Sequence, residues 1–135
     1  MATRHQAREA VISLLYAYDM GNEEIAKHAD DILEDKKIRN KQKDFALELF
    51  EGTMGQLESL DKVIIENLKE WDFERLGNIE RAILRLGSYE VLNKDLDSAV
   101  IINEAIELAK KLCSEQSPSF INGVLDGVSK TKATK

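Results

Sequence analysis

The apolar residues of this 135-residue chain recur at intervals of three and four along most of its length, and this spacing restricts the fold more than any other feature. A single proline and seven scattered glycines interrupt the pattern. The β-branched residues mostly share the helical spacing, and few segments alternate as a half-buried strand does. We therefore predict an all-α protein, a compact bundle of about seven helices joined by short turns. The predicted helices cover, approximately, residues 3–20, 23–33, 40–57, 61–71, 79–93, 98–113 and 117–130.

Several predicted helices begin with a side chain that can accept a hydrogen bond from the first-turn amides. These predicted N-caps are Thr3, Asp61, Asp97 or Ser98, and Ser117. Gln6 would complete a capping box with Thr3, and Gly21 would end the same helix in a left-handed conformation. Gly87 lies inside the fifth helix, where glycine costs about 1 kcal/mol relative to alanine. We therefore expect another helix to approach closely at Gly87.

The segment LKEWDFERLGN, at residues 68–78, breaks the helical period and brings Trp71 and Phe73 together. We interpret it as a hinge between an N-terminal helical subdomain, about 1–72, and a C-terminal one, about 73–130. The last residues, 131–135, are polar and lack an apolar anchor, so we predict a flexible tail.

Composition limits the classes of protein to which this chain can belong. With 43% hydrophobic and 33% charged residues, it can bury a core and cover it with charge. It has no apolar run of roughly 20 residues and no secretory signal at its N-terminus, so we expect a cytoplasmic protein and no membrane partner. Cys113 is the only cysteine and His5 and His28 are the only histidines. We therefore expect neither an internal disulfide nor a metal or cofactor.

Two stretches of positive charge stand out against a net charge of −6. Arg4 and Arg8 are four residues apart on the first turns of the first helix, beside His5, so they share a face. These arginines either are solvated or pair with Glu9, which the residues alone favour, or hold phosphates. The second stretch, KKIRNKQK at 36–43, follows an acidic helix. Its cations either pair with that helix in a solvated turn or form a surface for phosphate, and we favour the first interpretation.

The sequence shows no constellation typical of catalysis. It contains no P-loop, dinucleotide fingerprint or zinc-protease motif, and neither His5 nor His28 has a nearby nucleophile. Cys113 lies at a predicted helix C-terminus, where the helix dipole raises the pKa of a thiol. We therefore expect no enzyme. Phe120, in the first turn of the last helix, either packs inward or exposes a ring that could stack on a base.

Three blocks of the sequence together resemble the NusB family. They are AREAVISLLY at 7–16, ERAILRLGSYE at 80–90 and INEAIELAKKLCSEQSPSFINGVLD at 102–126. Their order, spacing and overall length match the family, and the resemblance covers nearly the whole chain. It implies an all-helical fold of two packed subdomains and a role in transcription antitermination.

The resemblance also implies partners and contact residues. The implied partners are boxA single-stranded RNA in ribosomal RNA leaders, NusE (a small-subunit ribosomal protein), and NusA, NusG and RNA polymerase in the larger complex. The implied RNA contacts are Arg4, His5, Arg8 and Phe120, and the implied partner contacts are Tyr16, Glu80 and Phe120. On this basis Arg8→Glu should weaken RNA binding without lowering thermal stability. Because His5 and Gln6 stand where the family often has arginine, we expect NusE to supply much of the affinity.

Other classes of protein remain to be distinguished. A helical protein–protein interaction module without direct RNA binding is compatible with the net charge of −6. A NusB-like domain also occurs in ribosomal RNA cytosine methyltransferases, but 135 residues leave no room for a domain that binds a methyl donor. A nuclease would need a catalytic cluster, and none is visible. The sequence leaves open whether the free protein forms a homodimer.

Overall fold

The computed structural model describes residues 2–69 and 72–133, and within these ranges the chain forms seven α-helices, one short 3₁₀ helix and no strand. The α-helices are α1 (Arg4–Asp19), α2 (Ile25–Asp35), α3 (Lys41–Gly55), α4 (Leu57–Glu66), α5 (Asn78–Asn93), α6 (Ser98–Leu112) and α7 (Ser117–Ala133), and the 3₁₀ helix is Phe73–Arg75. The prediction of an all-α fold with seven helices is confirmed. No helix of the described ranges is long and apolar enough to cross a membrane.

Helix α5 lies at the centre of the bundle. It packs against α1, α3, α4, α6 and α7, and every residue from 81 to 91 is buried. One hydrophobic cluster includes residues of all seven helices, among them Val11 of α1, Leu49 of α3 and Leu125 of α7. This cluster crosses the predicted subdomain boundary near residue 72, and the division into two subdomains stays a prediction. Trp71, placed at the predicted hinge, lies outside the described residues.

Most of the predicted helix boundaries are confirmed to within two residues. Thr3 and Gln6 form the capping box, with the Thr3 amide donating to Gln6 Oε1 over 2.8 Å and the Gln6 amide donating to Thr3 Oγ1 over 3.1 Å. Gly21 has a φ of +106°, and Asp97 caps α6 by accepting from the Ala99 amide. Helix α7 starts at Ser117 itself, one residue earlier than a Ser117 N-cap implies.

The fourth helix is present, but its predicted bounds, 61–71, and its predicted N-cap, Asp61, are wrong. Helix α4 begins at Leu57, directly after α3, and ends at Glu66. Asp61 therefore lies in its middle, where its two carboxylate oxygens each accept a hydrogen bond of 2.8 Å from Arg85 of α5. An aspartate that looks like a cap in the sequence is here held by a tertiary ion pair.

Helix α7 extends further than predicted. Residues 131–133, assigned to a flexible tail, belong to its last turn, and residues 134–135 lie outside the described residues. Lys132 Nζ donates to the carbonyl oxygens of Val91, over 2.7 Å, and Lys94. These carbonyls belong to the end of α5 and the residue after it, so the lysine supplies the anchor that the apolar pattern does not show.

The expected close approach at Gly87 is confirmed. A Cβ added to Gly87 would lie 2.8 Å from Leu125 Cδ1 of α7, and Leu125 is completely buried. Glycine at this position therefore allows α5 and α7 to pack more closely than alanine would.

Among the described residues, three ion pairs join α1 to α5, one of them between Arg85 Nη1 and Asp19 Oδ1 at 3.4 Å. Arg8 Nη2 lies 2.9 Å from Glu90 Oε1, and Arg81 Nη1 lies 2.8 Å from Asp19 Oδ2. Arg8 is near the start of α1 and Glu90 near the end of α5, whereas Asp19 ends α1 and Arg81 is near the start of α5. The two helices therefore run antiparallel, with ion pairs near both ends of the contact.

Candidate nucleic-acid interface

The first turns of α1 bring together the predicted RNA contacts Arg4, His5 and Arg8. The guanidinium carbon of Arg4 lies 4.8 Å from the centroid of the Phe45 ring on α3, and that of Arg8 lies 5.2 Å from the same centroid. The two arginines thus share one face, as their spacing predicts. Arg4 is exposed, so its cation is held against an aromatic ring and still faces solvent.

Arg8 differs from Arg4 because its side chain is buried. Its Nε and Nη2 atoms donate to the Glu90 carboxylate over 2.9–3.1 Å, and the exposed fractions of the two side chains are 5% and 4%. Removing one partner of such a pair leaves an uncompensated buried charge. The expectation that Arg8→Glu leaves thermal stability unchanged is therefore wrong. The spacing in the sequence predicts that Arg4 and Arg8 share a face of α1. It does not show that α5 covers Arg8 and leaves Arg4 exposed.

Side chains of α6 reach the first half of α1 and, in the described part of the chain, form three ion pairs with it. His5 Nδ1 lies 2.7 Å from Glu104 Oε2, and Lys111 Nζ lies 2.7 Å from Glu9 Oε1. Glu104 also approaches Arg8, with its Oε2 atom 3.9 Å from Arg8 Nη1. The carboxylate of Glu104 therefore orients His5 on the surface just outside the buried Arg8.

A second group of candidate residues meets between α5 and α7. Glu80 and Phe120 line one cavity of about 190 Å³, together with Arg75 and Gln116. Phe120 is partly buried and packs against the main hydrophobic cluster, as the inward-packing interpretation predicts. Stacking of its ring on a base stays a prediction. Two residues assigned from separate blocks of the sequence thus border the same space.

Cys113 lies beside this cavity, in the turn between α6 and α7. Burial, followed by a hydrogen bond to Glu80 and the charge of that carboxylate, raises the pKa of the thiol to about 12. The predicted direction of the shift is confirmed, but its main causes are burial and Glu80 rather than the helix dipole.

We expect Cys113 to react slowly with thiol reagents, because the thiolate is the reactive form. At pH 8, alkylation by iodoacetamide should be at least about 100-fold slower than for free cysteine, whose pKa is about 8.5. The reaction can be followed by mass spectrometry of the folded protein. Glu80→Gln should accelerate it by removing the neighbouring charge, and an unchanged rate in that variant would contradict the role given to Glu80.

Tyr16, the remaining candidate partner contact, lies on α1. Its side chain is exposed, at 36%, and Met20 at the end of the same helix is 57% exposed. Tyr16 is not among the described residues that line the cavity of Glu80 and Phe120. The structure therefore brings Glu80 and Phe120 together and leaves Tyr16 as a separate surface position.

The second arginine pair, Arg81 and Arg85 on α5, has a structural role. Their guanidinium carbons lie 5.0 Å and 5.6 Å from the centroid of the Phe73 ring, and both cations pair with Asp19. Burial lowers the pKa of Arg85, but its bonds to Asp61 and the charges of Asp61 and Asp19 outweigh this effect and raise the pKa. In each pair of arginines spaced by four residues, both guanidinium groups thus lie close to the ring of one phenylalanine from another element.

The basic stretch at 36–43 divides into two sets of cations. Arg39 pairs with Glu34 over 3.2 Å, and Lys43 pairs with Asp30 over 2.9 Å and with Glu34. These hydrogen bonds, the one from Glu34 first, raise the pKa of Lys43. The remaining lysines of the stretch are exposed and make no ion pair within the described ranges; they are Lys36, Lys37 and Lys41. The interpretation as a solvated turn paired with an acidic helix therefore holds for Arg39 and Lys43.

Sequence reasoning missed three residues that shape these surfaces. The ring of Phe45 lies under the guanidinium group of Arg4, Lys111 forms an ion pair with Glu9, and Gln116 lines the cavity of Phe120. Phe45 reads as a core residue because nothing in the spacing of α3 shows which arginine lies over its ring. For Lys111 and Gln116 the sequence offers one indirect signal of function, since both lie in the block at 102–126 that carries the family resemblance.

The comparisons with known proteins cover nearly the whole chain. The sequence model of the NusB family matches residues 5–130. The chain belongs to the NusB family. The transcription antitermination protein NusB of Sulfurimonas denitrificans is 66% identical over 132 residues, which are 98% of this chain and 100% of that protein. Members of this family are named as antitermination proteins, which are not a class of enzymes.

Solved structures of NusB proteins share the fold. The chain is similar to NusB of T. maritima, with a TM-score of 0.87 and 34% identity over 96% of this chain and 92% of that one. It is also similar to a chain in the crystal structure of the antitermination factors NusB and NusE in complex with double-stranded RNA. There the TM-score is 0.85 and the identity 30%, over 95% of this chain and 96% of that one. That NusB has been crystallised together with both NusE and RNA.

Proposed function

We propose that this protein is a transcription antitermination factor that binds RNA together with NusE. The observation that carries the proposal is its likeness, over nearly the whole chain, to a NusB solved with NusE and RNA. The exposed cation of Arg4, mounted on Phe45, supports it independently, because phosphate contacts supply much of the affinity of proteins for nucleic acids.

The proposed RNA surface begins at the first turn of α1. Arg4 and His5 contact phosphates. The buried Arg8 does not contact RNA itself but pairs with Glu90 and with Glu104, the carboxylate that orients His5. Phe120 offers the exposed part of its ring to an unpaired base, since single-stranded RNA is read through bases that are free to stack. The proposed RNA is the boxA segment of ribosomal RNA leaders.

The proposed NusE surface includes Tyr16 and the rim of the cavity formed by Glu80 and Phe120. Tyr16 is exposed, and tyrosine is enriched at protein interfaces because its ring has an apolar face and a polar tip. Through NusE the protein would join NusA, NusG and RNA polymerase in the cytoplasm. It would act as an adaptor without catalytic activity.

Binding of a fluorescent boxA RNA, measured by anisotropy across a salt series with and without purified NusE, tests the proposal. We expect NusE to tighten binding, boxA to be preferred over a scrambled RNA, and affinity to fall as salt rises. Arg4→Gln should reduce the slope against salt, whereas the control Lys62→Gln, which removes one exposed positive charge from α4, should leave it unchanged. If the wild-type protein binds neither RNA under any of these conditions, a helical interaction module without RNA binding would be the correct interpretation.

A further inference from the structure

We propose that the groove between the start of α1 and the α2–α3 turn extends the RNA surface, with Lys36 and Lys37 binding phosphates of nucleotides that flank the segment held at Arg4 and His5. This inference rests on the proposed function and assigns to it a part of the protein that the family resemblance did not include.

The groove is the space enclosed by three elements. Ala2 and Gln6 line it from the start of α1, Lys36 and Lys37 from the turn after α2, and Lys111 from the end of α6. Its volume is about 480 Å³ and it is open to solvent. Gln6 lies on the same first turns of α1 as Arg4 and His5, so the groove begins beside the proposed phosphate contacts.

The balance of charge in the groove is positive. Glu9 also lines the groove, but its carboxylate is neutralised by Lys111 at 2.7 Å. Lys36 and Lys37 make no ion pair within the described ranges, whereas Lys43 and Arg39 of the same stretch are paired with α2. Two uncompensated cations therefore remain at the groove, in a protein whose net charge is −6.

The turn that carries these lysines is fixed by its backbone. The Ile38 amide donates to the Leu33 carbonyl and the Lys37 amide to the Glu34 carbonyl, both over 2.9 Å, which is the hydrogen-bonding pattern of a Schellman motif. Ile38 is 3% exposed and anchors the turn in the core. Lys37 takes the left-handed conformation, with φ of +62°, at the position where glycine is usual. The two lysines are thus presented from a rigid base.

A phosphate strand suits this groove better than a compact anion does. Its unpaired cations, Lys36 and Lys37, are adjacent in the chain and exposed, and neither is buried as in a closed anion site. Successive phosphates of a single strand can each neutralise one exposed lysine and release counterions.

The test compares two RNAs, the boxA core alone and the same core with flanking nucleotides on both sides, each with NusE present. The variant is Lys36→Gln with Lys37→Asn, because asparagine tolerates positive φ. The matched control is Lys62→Gln with Lys69→Gln, which removes the same charge from two exposed lysines outside the groove. Thermal melts of both variants should coincide with the wild type, so that a loss of affinity reports on binding.

We expect the groove variant to bind the extended RNA roughly 10- to 30-fold more weakly at about 0.1 M salt, and its log–log slope to fall by about 1.4 if both phosphate contacts are lost. Its affinity for the core RNA, and the affinity of the control variant for both RNAs, should change less than about twofold. Equal weakening for both RNAs, or equal weakening in the control, would overturn the groove assignment. A groove variant that binds the extended RNA as the wild type does would overturn it too, while leaving the proposed function intact. If the wild-type protein binds neither RNA, the proposed function fails and the groove assignment fails with it.

Discussion

Replacing Arg8 with methionine is expected to lower the free energy of unfolding by about 3–5 kcal/mol. Methionine keeps an apolar stem of similar length, but it removes all the hydrogen bonds that the buried Glu90 carboxylate receives from Arg8. A carboxylate left unpaired at 4% exposure must lose its charge or draw in water, and either outcome destabilises the fold. Urea denaturation followed by circular dichroism measures the change.

Two controls separate the loss of the ion pair from the loss of packing. Arg8→Met combined with Glu90→Leu should recover much of the stability, because two apolar groups can replace a buried pair. Lys111→Met breaks the exposed pair with Glu9 and should cost less than about 1 kcal/mol. A cost for Arg8→Met as small as that for Lys111→Met would mean that water reaches Glu90 in solution.

Gly87→Val is expected to lower the free energy of unfolding by about 2–3 kcal/mol, although valine forms helices more readily than glycine. Its Cβ would lie 2.8 Å from Leu125 Cδ1, and Leu125 has no room to move because it is completely buried. Helices α5 and α7 would have to separate, which weakens the contact between α7 and the central helix. Thermal and urea unfolding both report this loss.

A matched glycine on α7 provides the control for Gly87. A Cβ added to Gly123 would meet nothing within 4 Å, so Gly123→Ala should raise the free energy of unfolding by up to about 1 kcal/mol. Leu125→Ala should make the cost of Gly87→Val smaller, because it removes the two methyl groups nearest to the new side chain. If the costs of Gly87→Val and Leu125→Ala simply add, the proposed clash is not the cause.

The sequence predicted the helices well where the local signal agreed with the tertiary structure. The capping box of Thr3 and Gln6 and the cap at Asp97 depend only on residues within a few positions of each other. The close contact at Gly87 was predictable because glycine inside a helix has a conformational cost that packing must offset. The prediction failed at Asp61, because a capping aspartate and an aspartate that pairs with Arg85 on another helix look alike in sequence.

The candidate site was predictable only in part, for a related reason. Spacing shows that Arg4 and Arg8 share a face of α1, but their difference in exposure depends on where α5 carries Glu90. The basic stretch at 36–43 could likewise be assigned only when the pairing of Lys43 with α2 was known, since this pairing distinguishes Lys43 from Lys36. Local sequence gives the direction of a side chain from its own helix, whereas long-range packing decides what it meets.

The ion pairs between α1 and α5 also favour one direction of α1 along α5. Along α1 a cation comes first and an anion last, and along α5 the order is the same, from Arg81 to Glu90. Antiparallel docking joins opposite charges at both ends, whereas a parallel arrangement would set Arg8 against Arg81 and Asp19 against Glu90. Like charges brought together away from water cost several kcal/mol, and apolar contacts have no direction of their own. The apolar face therefore favours docking of α1 on α5, and the order of charges favours the antiparallel over the parallel arrangement.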